Sequence, residues 1–142
     1  MHIPNIPTWI DVFLAPLRDS QPAKVAVVAV LLLIVLDIVF GVLNACIHKE
    51  FSSVKMREGI GHKCSELGFM LVGLIIDGTI VGGVDLGFKA PVLVTVCVYI
   101  ALMELGSLLE TFVRMNPALK ESPLFKLLAS VKVKGLEAEH AE

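Results

Sequence analysis

The chain has 142 residues, 56 % of them hydrophobic, a formal net charge of −2 and a mean hydropathy of +0.81. No basic surface is implied overall, which argues against a general nucleic-acid binder. The apolar content exceeds the roughly 45–50 % of a soluble domain, and a water-soluble fold would have to hide three long apolar runs within this length. The composition therefore points to an all-α integral membrane protein with about three transmembrane helices and amphipathic helices at both ends.

The N-terminal segment, 1–24, carries Ile6, Trp9, Ile10, Phe13, Leu14 and Leu17 at helical spacing, with Asp11 and Arg18 elsewhere on the wheel. Pro7 suits the opening of this helix and Pro16 weakens its end. A single Trp on such a face suits the headgroup boundary; packing against a partner helix is the alternative. The membrane domain, 25–111, follows. Its first run, Val25 to Ile47, spans about 30 Å of hydrocarbon at 1.5 Å per residue and contains one charge, Asp37. Val25 to Leu36 is aliphatic on every face, unlike a soluble amphipathic helix.

The second run, about 64–84, is densest from Leu67 to Ile76 and continues through Asp77 into a Gly-rich stretch. Gly78 and Gly82, then Gly83 and Gly87, each make a GxxxG. Their place beside a loop favours turn formation over helix association. The third run, about 90–109, has Pro91 in its first turn and Glu104 as its internal charge. The tail, 112–142, has Ser122 as candidate N-cap and Pro123 as first helical residue. Leu124, Leu127, Leu128 and Val131 then share a face beside Lys126, Lys132 and Lys134, a basic amphipathic pattern suited to an anionic leaflet. The acidic end, Glu137 to Glu142, is expected to lack structure.

Three spans create two sides. The stretch from His48 to Lys63 and the tail after Leu109 hold nine Lys and Arg residues: Lys49, Lys55, Arg57, Lys63, Arg114, Lys120, Lys126, Lys132 and Lys134. Arg18, Lys24 and Lys89 make three on the other side. The asymmetry predicts an outside N-terminus and a cytoplasmic C-terminus.

Polar residues inside the runs are the sharpest signal, because a charge at mid-span costs about 2.5–3.5 kcal/mol on insertion scales. Asp37, Gly41, Asn44 and His48 form one stripe on the first helix. Glu104, Ser107 and Thr111 form another on the third, with Glu110 placed to pair with Arg114. Glu66, Gly73 and Asp77 share a side of the second. A water-lined lumen between protomers and polar glue inside a bundle both fit these stripes. A proton relay through Asp37 lacks an evident Lys or Arg partner at its depth.

Catalytic motifs are absent from the sequence: there is no phosphate-cradling loop, nucleophile elbow or HExxH. The three cysteines, Cys46, Cys64 and Cys97, and the scattered histidines have no metal-ligand spacing. No enzyme activity, cofactor or metal is expected.

The block Leu36-Asp37-Ile38-Val39-Phe40-Gly41-Val42-Leu43-Asn44-Ala45, followed by Lys49 and Phe51-Ser52-Ser53, resembles the toxin-secretion/phage-lysis holin family. Asp37, Gly41 and Ala45 match an Asp-x-x-x-Gly-x-x-x-Ala pattern, and Lys49, Ser52, Ser53 and Gly59 match a short basic linker. Glu104 through Glu110 is similar to the acidic-then-Ser pattern of a later span, and Asn116 through Lys134 to a Lys-rich, Pro-containing tail. The linker, with Lys55 and Arg57, is more charged than the family style. The tail has Asn116-Pro117 and Ser122-Pro123 in place of Gly-x-Pro-x-Pro.

The resemblance implies a protein that oligomerises in the bacterial cytoplasmic membrane and permeabilises it, releasing an endolysin or a toxin. Its partners would be further copies of itself, the lipid bilayer and that endolysin or toxin. Asp37, Gly41, Asn44, Glu104 and Ser107 would then make subunit contacts or line the lesion. Lys49, Ser52, Ser53, Lys55, Arg57 and Gly59 would hold the cytoplasmic boundary. A small oligomeric ion channel or transport subunit, and a non-conducting scaffold, are the competing classes.

Overall fold

The structure is a computed structural model that describes residues 8–88, 90–123 and 125–130. The expectations for Ile6, Pro7, Lys89, Leu124, the side chain of Lys55 and the tail from Val131 onward lie outside these residues. Four helices account for most of the chain: α1 (Thr8–Asp19), α2 (Gln21–His48), α3 (Ser53–Val81) and α4 (Val92–Met115). A 3-10 turn, Pro117–Glu121, and a helical stretch over 125–130 follow, and no strand occurs among the described residues.

Local chemistry sets the helix ends. Ser20 alone separates α1 from α2, and its hydroxyl accepts a hydrogen bond from the Ala23 N–H at 3.3 Å, leaving Pro22 in a first turn that needs no N–H there. α2 stops at Lys49, which takes a left-handed conformation with φ of 54° and donates its N–H back to the Ala45 and Cys46 carbonyls. The tail helix opens where Ser122 Oγ accepts from the Phe125 N–H at 3.1 Å, as the Ser-Pro pair predicts.

Three helices, α2, α3 from Met56 onward, and α4, are long and apolar enough to cross a membrane. With 28, 29 and 24 residues they are roughly 42, 44 and 36 Å long at 1.5 Å per residue. Each exceeds a hydrocarbon core of about 30 Å, so the helices tilt or extend beyond it. Three hydroxyls within the spans are satisfied by the preceding turn: Ser65 donates to the Gly61 carbonyl, Thr79 to Ile75 and Thr95 to Pro91.

α4 is the central element. It packs along α2 on one side and α3 on the other, while the backbones of α2 and α3 make almost no direct contact. The core joins Ala23, Val30 and Ile34 of α2, Met70 of α3, and Leu93, Val96, Cys97 and Ile100 of α4. α2 and α4 run in the same direction and α3 runs against them. Where α3 meets the start of α4, a Cβ built on Gly73 would stand 3.1 Å from the Leu93 Cα.

The glycines at the end of α3 divide their roles. Gly83 and Gly87 have φ of 92° and 78°, which only a turn needs, and Asp85 accepts from the Gly87 N–H at 2.9 Å. Gly78 and Gly82 depart from the expected turn role. A Cβ on Gly78 would meet the Phe13 Cα at 2.8 Å and one on Gly82 the Val12 side chain at 3.3 Å. They form the groove in which α1 rests. α1 thus packs on α3 with Ala15 buried, yet keeps Trp9 64 % exposed. Its surface carries Arg18, which binds Asp11 and, through two hydrogen bonds of 2.8 and 2.9 Å, Asp19. The guanidinium holds the Asp19 carboxyl below its usual range.

Candidate functional site

Three of the carboxyls that the sequence places inside the apolar runs meet at one point, around Lys63. Asp37 comes from α2, Lys63 and Glu66 from α3, and Glu104 from α4. The Lys63 ammonium lies 2.9 Å from Asp37 Oδ2, donates to Glu104 Oε1 and stands 3.7 Å from Glu66 Oε2. Glu104 is 1 % and Glu66 6 % exposed. His62, exposed on the same helix, places Nε2 3.1 Å from Glu66 Oε1, an ionic contact only when the ring is protonated.

The helical register makes this junction. Lys63, Glu66, Met70, Gly73 and Asp77 step by 3, 4, 3 and 4 and form one stripe on α3. The stripe faces α4: Met70 enters the core, Gly73 meets Leu93, and Asp77 binds the start of α4. An ammonium reaching from that stripe meets Glu104 half-way along α4 and Asp37 beyond it on α2. Lys63 thereby links α2 to α3, whose backbones otherwise scarcely touch.

Lys63 corrects the reading that Asp37 lacks a basic partner at its depth. The apolar run begins at Cys64, which made Lys63 look like the last residue of a surface linker. In the structure that linker is only residues 49–52, and Lys63 is in the third turn of α3. The signal for it was the stripe of Glu66, Gly73 and Asp77, which continues one step back onto Lys63. Without Lys63, the count of basic residues on that side falls from nine to eight, still against three.

Asp77 has a different task. Pro91 offers no capping side chain to α4, and the Asp77 carboxylate supplies the cap from the neighbouring helix. Its two oxygens accept from the Val92 and Leu93 N–H groups at 2.9 and 3.0 Å. A carboxylate at a helix N-terminus satisfies unpaired donors and meets the positive end of the helix dipole.

The remaining residues of the stripes are dispersed. Asn44 is half-buried, with Oδ1 accepting no hydrogen bond among the described residues. Below the charge cluster, Phe40 and Phe112 meet edge-to-face with centroids 4.8 Å apart. Gly41 and Ser107 are exposed, and a Cβ on Gly41 would meet nothing within 4 Å. The pairing of Arg114 with Glu110 forms at 2.8 Å, as the spacing predicts. Ser53, Arg57 and Gly59 lie on the first turns of α3, whereas Lys49 and Ser52 stay in the connection.

Among the described residues no group of His, Cys, Asp and Glu side chains is arranged to hold a metal ion. A search of curated proteins and of solved structures finds no match. The Bacteriophage holin family model matches residues 22–131, from the first turn of α2 through α3, α4 and the tail helix. With that match covering more than half of its length, the chain belongs to the bacteriophage holin family.

Proposed function

We propose that this multi-pass membrane protein accumulates in the bacterial cytoplasmic membrane, assembles with copies of itself and opens lesions that let an endolysin or a toxin through. The observation that carries this reading is membership of the holin family, which is not an enzyme family, on a chain with three candidate spans. The basic excess supports a cytoplasmic C-terminus and an outside N-terminus. Lys49, Ser52, Ser53, Lys55, Arg57 and Gly59 then stand at the cytoplasmic boundary.

Within one protomer, Asp37 and Glu104 spend their charge on Lys63. Exposed Gly41 and Ser107 remain for contacts between copies. A lesion wall forms when the spans part and Asp37, Asn44 and Glu104 turn towards water. Polar glue in the closed protomer and lumen lining in the open assembly are two states of the same residues.

Vesicles loaded with a small dye and a folded protein cargo test the size of the opening. The purified chain is expected to release both. Retention of the protein with passage of ions alone would replace the lesion with a small ion channel, and retention of both with a scaffold.

A further inference from the structure

The charge cluster does not balance. Asp37, Glu66 and Glu104 bring three carboxyls, and Lys63 is the one ammonium among them. The oxygens are not equally served. Asp37 Oδ2 and Glu104 Oε1 face the ammonium closely, whereas Glu104 Oε2 and both oxygens of Glu66 are buried and accept no hydrogen bond among the described residues, with His62 Nε2 3.1 Å from Glu66 Oε1 as the nearest other polar contact of that carboxyl. Glu66 Oε2 and Glu104 Oε1 both lie within 4 Å of the Lys63 Nζ, so the two carboxyls flank one ammonium. Two carboxylates cannot hydrogen-bond to each other, since each is acceptor-only; one proton makes one of them a donor.

The other groups facing the pair are few. α2 contributes Asp37; α3 contributes Lys63 and, from the surface, His62. α4 contributes Glu104 itself. Lys63 already fills the place a bound cation would take. An unpaired charge in a low-dielectric interior is neutralised more readily than it is tolerated, and membrane burial enlarges that cost.

We infer that the flanking Glu66 and Glu104 carboxyls form a binding site for a single proton, held between an unserved oxygen of each. The proton comes from water and bonds to one carboxylate oxygen, and the resulting O–H donates to the other carboxyl. The cluster then holds two negative charges and one positive instead of three and one. The inference rests on the geometry of one protomer and is independent of lesion formation.

Infrared spectroscopy of the full chain in vesicles of phosphatidylethanolamine and phosphatidylglycerol tests it. At neutral pH the wild type is expected to show the carbonyl stretch of a protonated carboxyl. Glu66→Gln and Glu104→Gln should each abolish that band, because the amide NH2 replaces the donor. Asp37→Asn and His62→Ala should retain it. Absence of the band from the wild type, its survival in both Gln variants, or its loss in Asp37→Asn would overturn the proposal. The wild-type spectrum needs no substitution, so it decides even where a variant fails to fold.

Discussion

Lys63 ties three helices together, because its ammonium stands among Asp37 of α2, Glu66 of its own helix and Glu104 of α4. Removing one partner from a buried ionic group leaves the other charge unpaired and costs about 3–5 kcal/mol. Lys63→Met is therefore expected to destabilise the protomer by about that much, read from denaturant unfolding in micelles. The double variant Lys63→Met/Asp37→Leu should lose less than the sum of the two single losses, with a coupling of about 0.5–3 kcal/mol. Strict additivity would show that the two side chains do not interact in the membrane. Asp37 and Glu104 stood out in the sequence because each is a lone charge in an apolar run. Their common partner did not, because the eye ends an apolar run at its last charge whereas a helix does not. Burial of Lys63 is a tertiary fact: its stem and ammonium are 13 % exposed only because α2 and α4 close over them.

Among the elements, α3 is the one whose sequence understates its structure. Its first three turns are polar and read as a linker, yet they continue the same helix, and its C-terminal glycines serve two purposes that spacing alone does not separate. Gly78 stands where a side chain would strike the Phe13 backbone, so Gly78→Val should lift α1 from α3. Faster proteolysis within α1, with the three spans still protected, is the expected reading; unchanged protection would remove Gly78 from the α1 contact. Gly68 faces open space, and Gly68→Ala should leave α1 undisturbed. Asp77→Ala removes the cap on α4 and should cost about 0.5–2 kcal/mol. Hydrogen exchange at the Val92 and Leu93 amides would accelerate; unaltered exchange there would mean another group caps the helix. α2 and α4 were legible because their apolar runs are long and Pro91 marks the start of α4. The cap from Asp77 was not, since it joins residues 15 and 16 positions apart across a turn.

The described helices form a bundle of three candidate spans with Asp37, Lys63, Glu66 and Glu104 turned inward and much of the apolar surface outward. Val25, Val28, Leu32 and Val35 of α2 are all more than half exposed, as a lipid-facing or subunit-facing helix requires. The number and approximate place of the spans followed from hydropathy, and family membership from the Asp37–Gly41–Ala45 block. How the spans pack did not follow, because nothing in an all-round apolar helix such as α2 says which side meets α4. Assembly is tested at Gly41, where an added Cβ would meet nothing within 4 Å among the described residues: Gly41→Val should leave unfolding within about 0.5 kcal/mol of the wild type while shifting oligomer size or lysis timing. The most direct test of lesion formation is inducible expression in a bacterium, with and without a co-expressed cytoplasmic endolysin, while membrane potential and culture density are followed. Abrupt depolarisation after a delay, with lysis only when the endolysin is present, is the predicted result; a stable potential and continued growth, with the protein verified in the membrane, would contradict it.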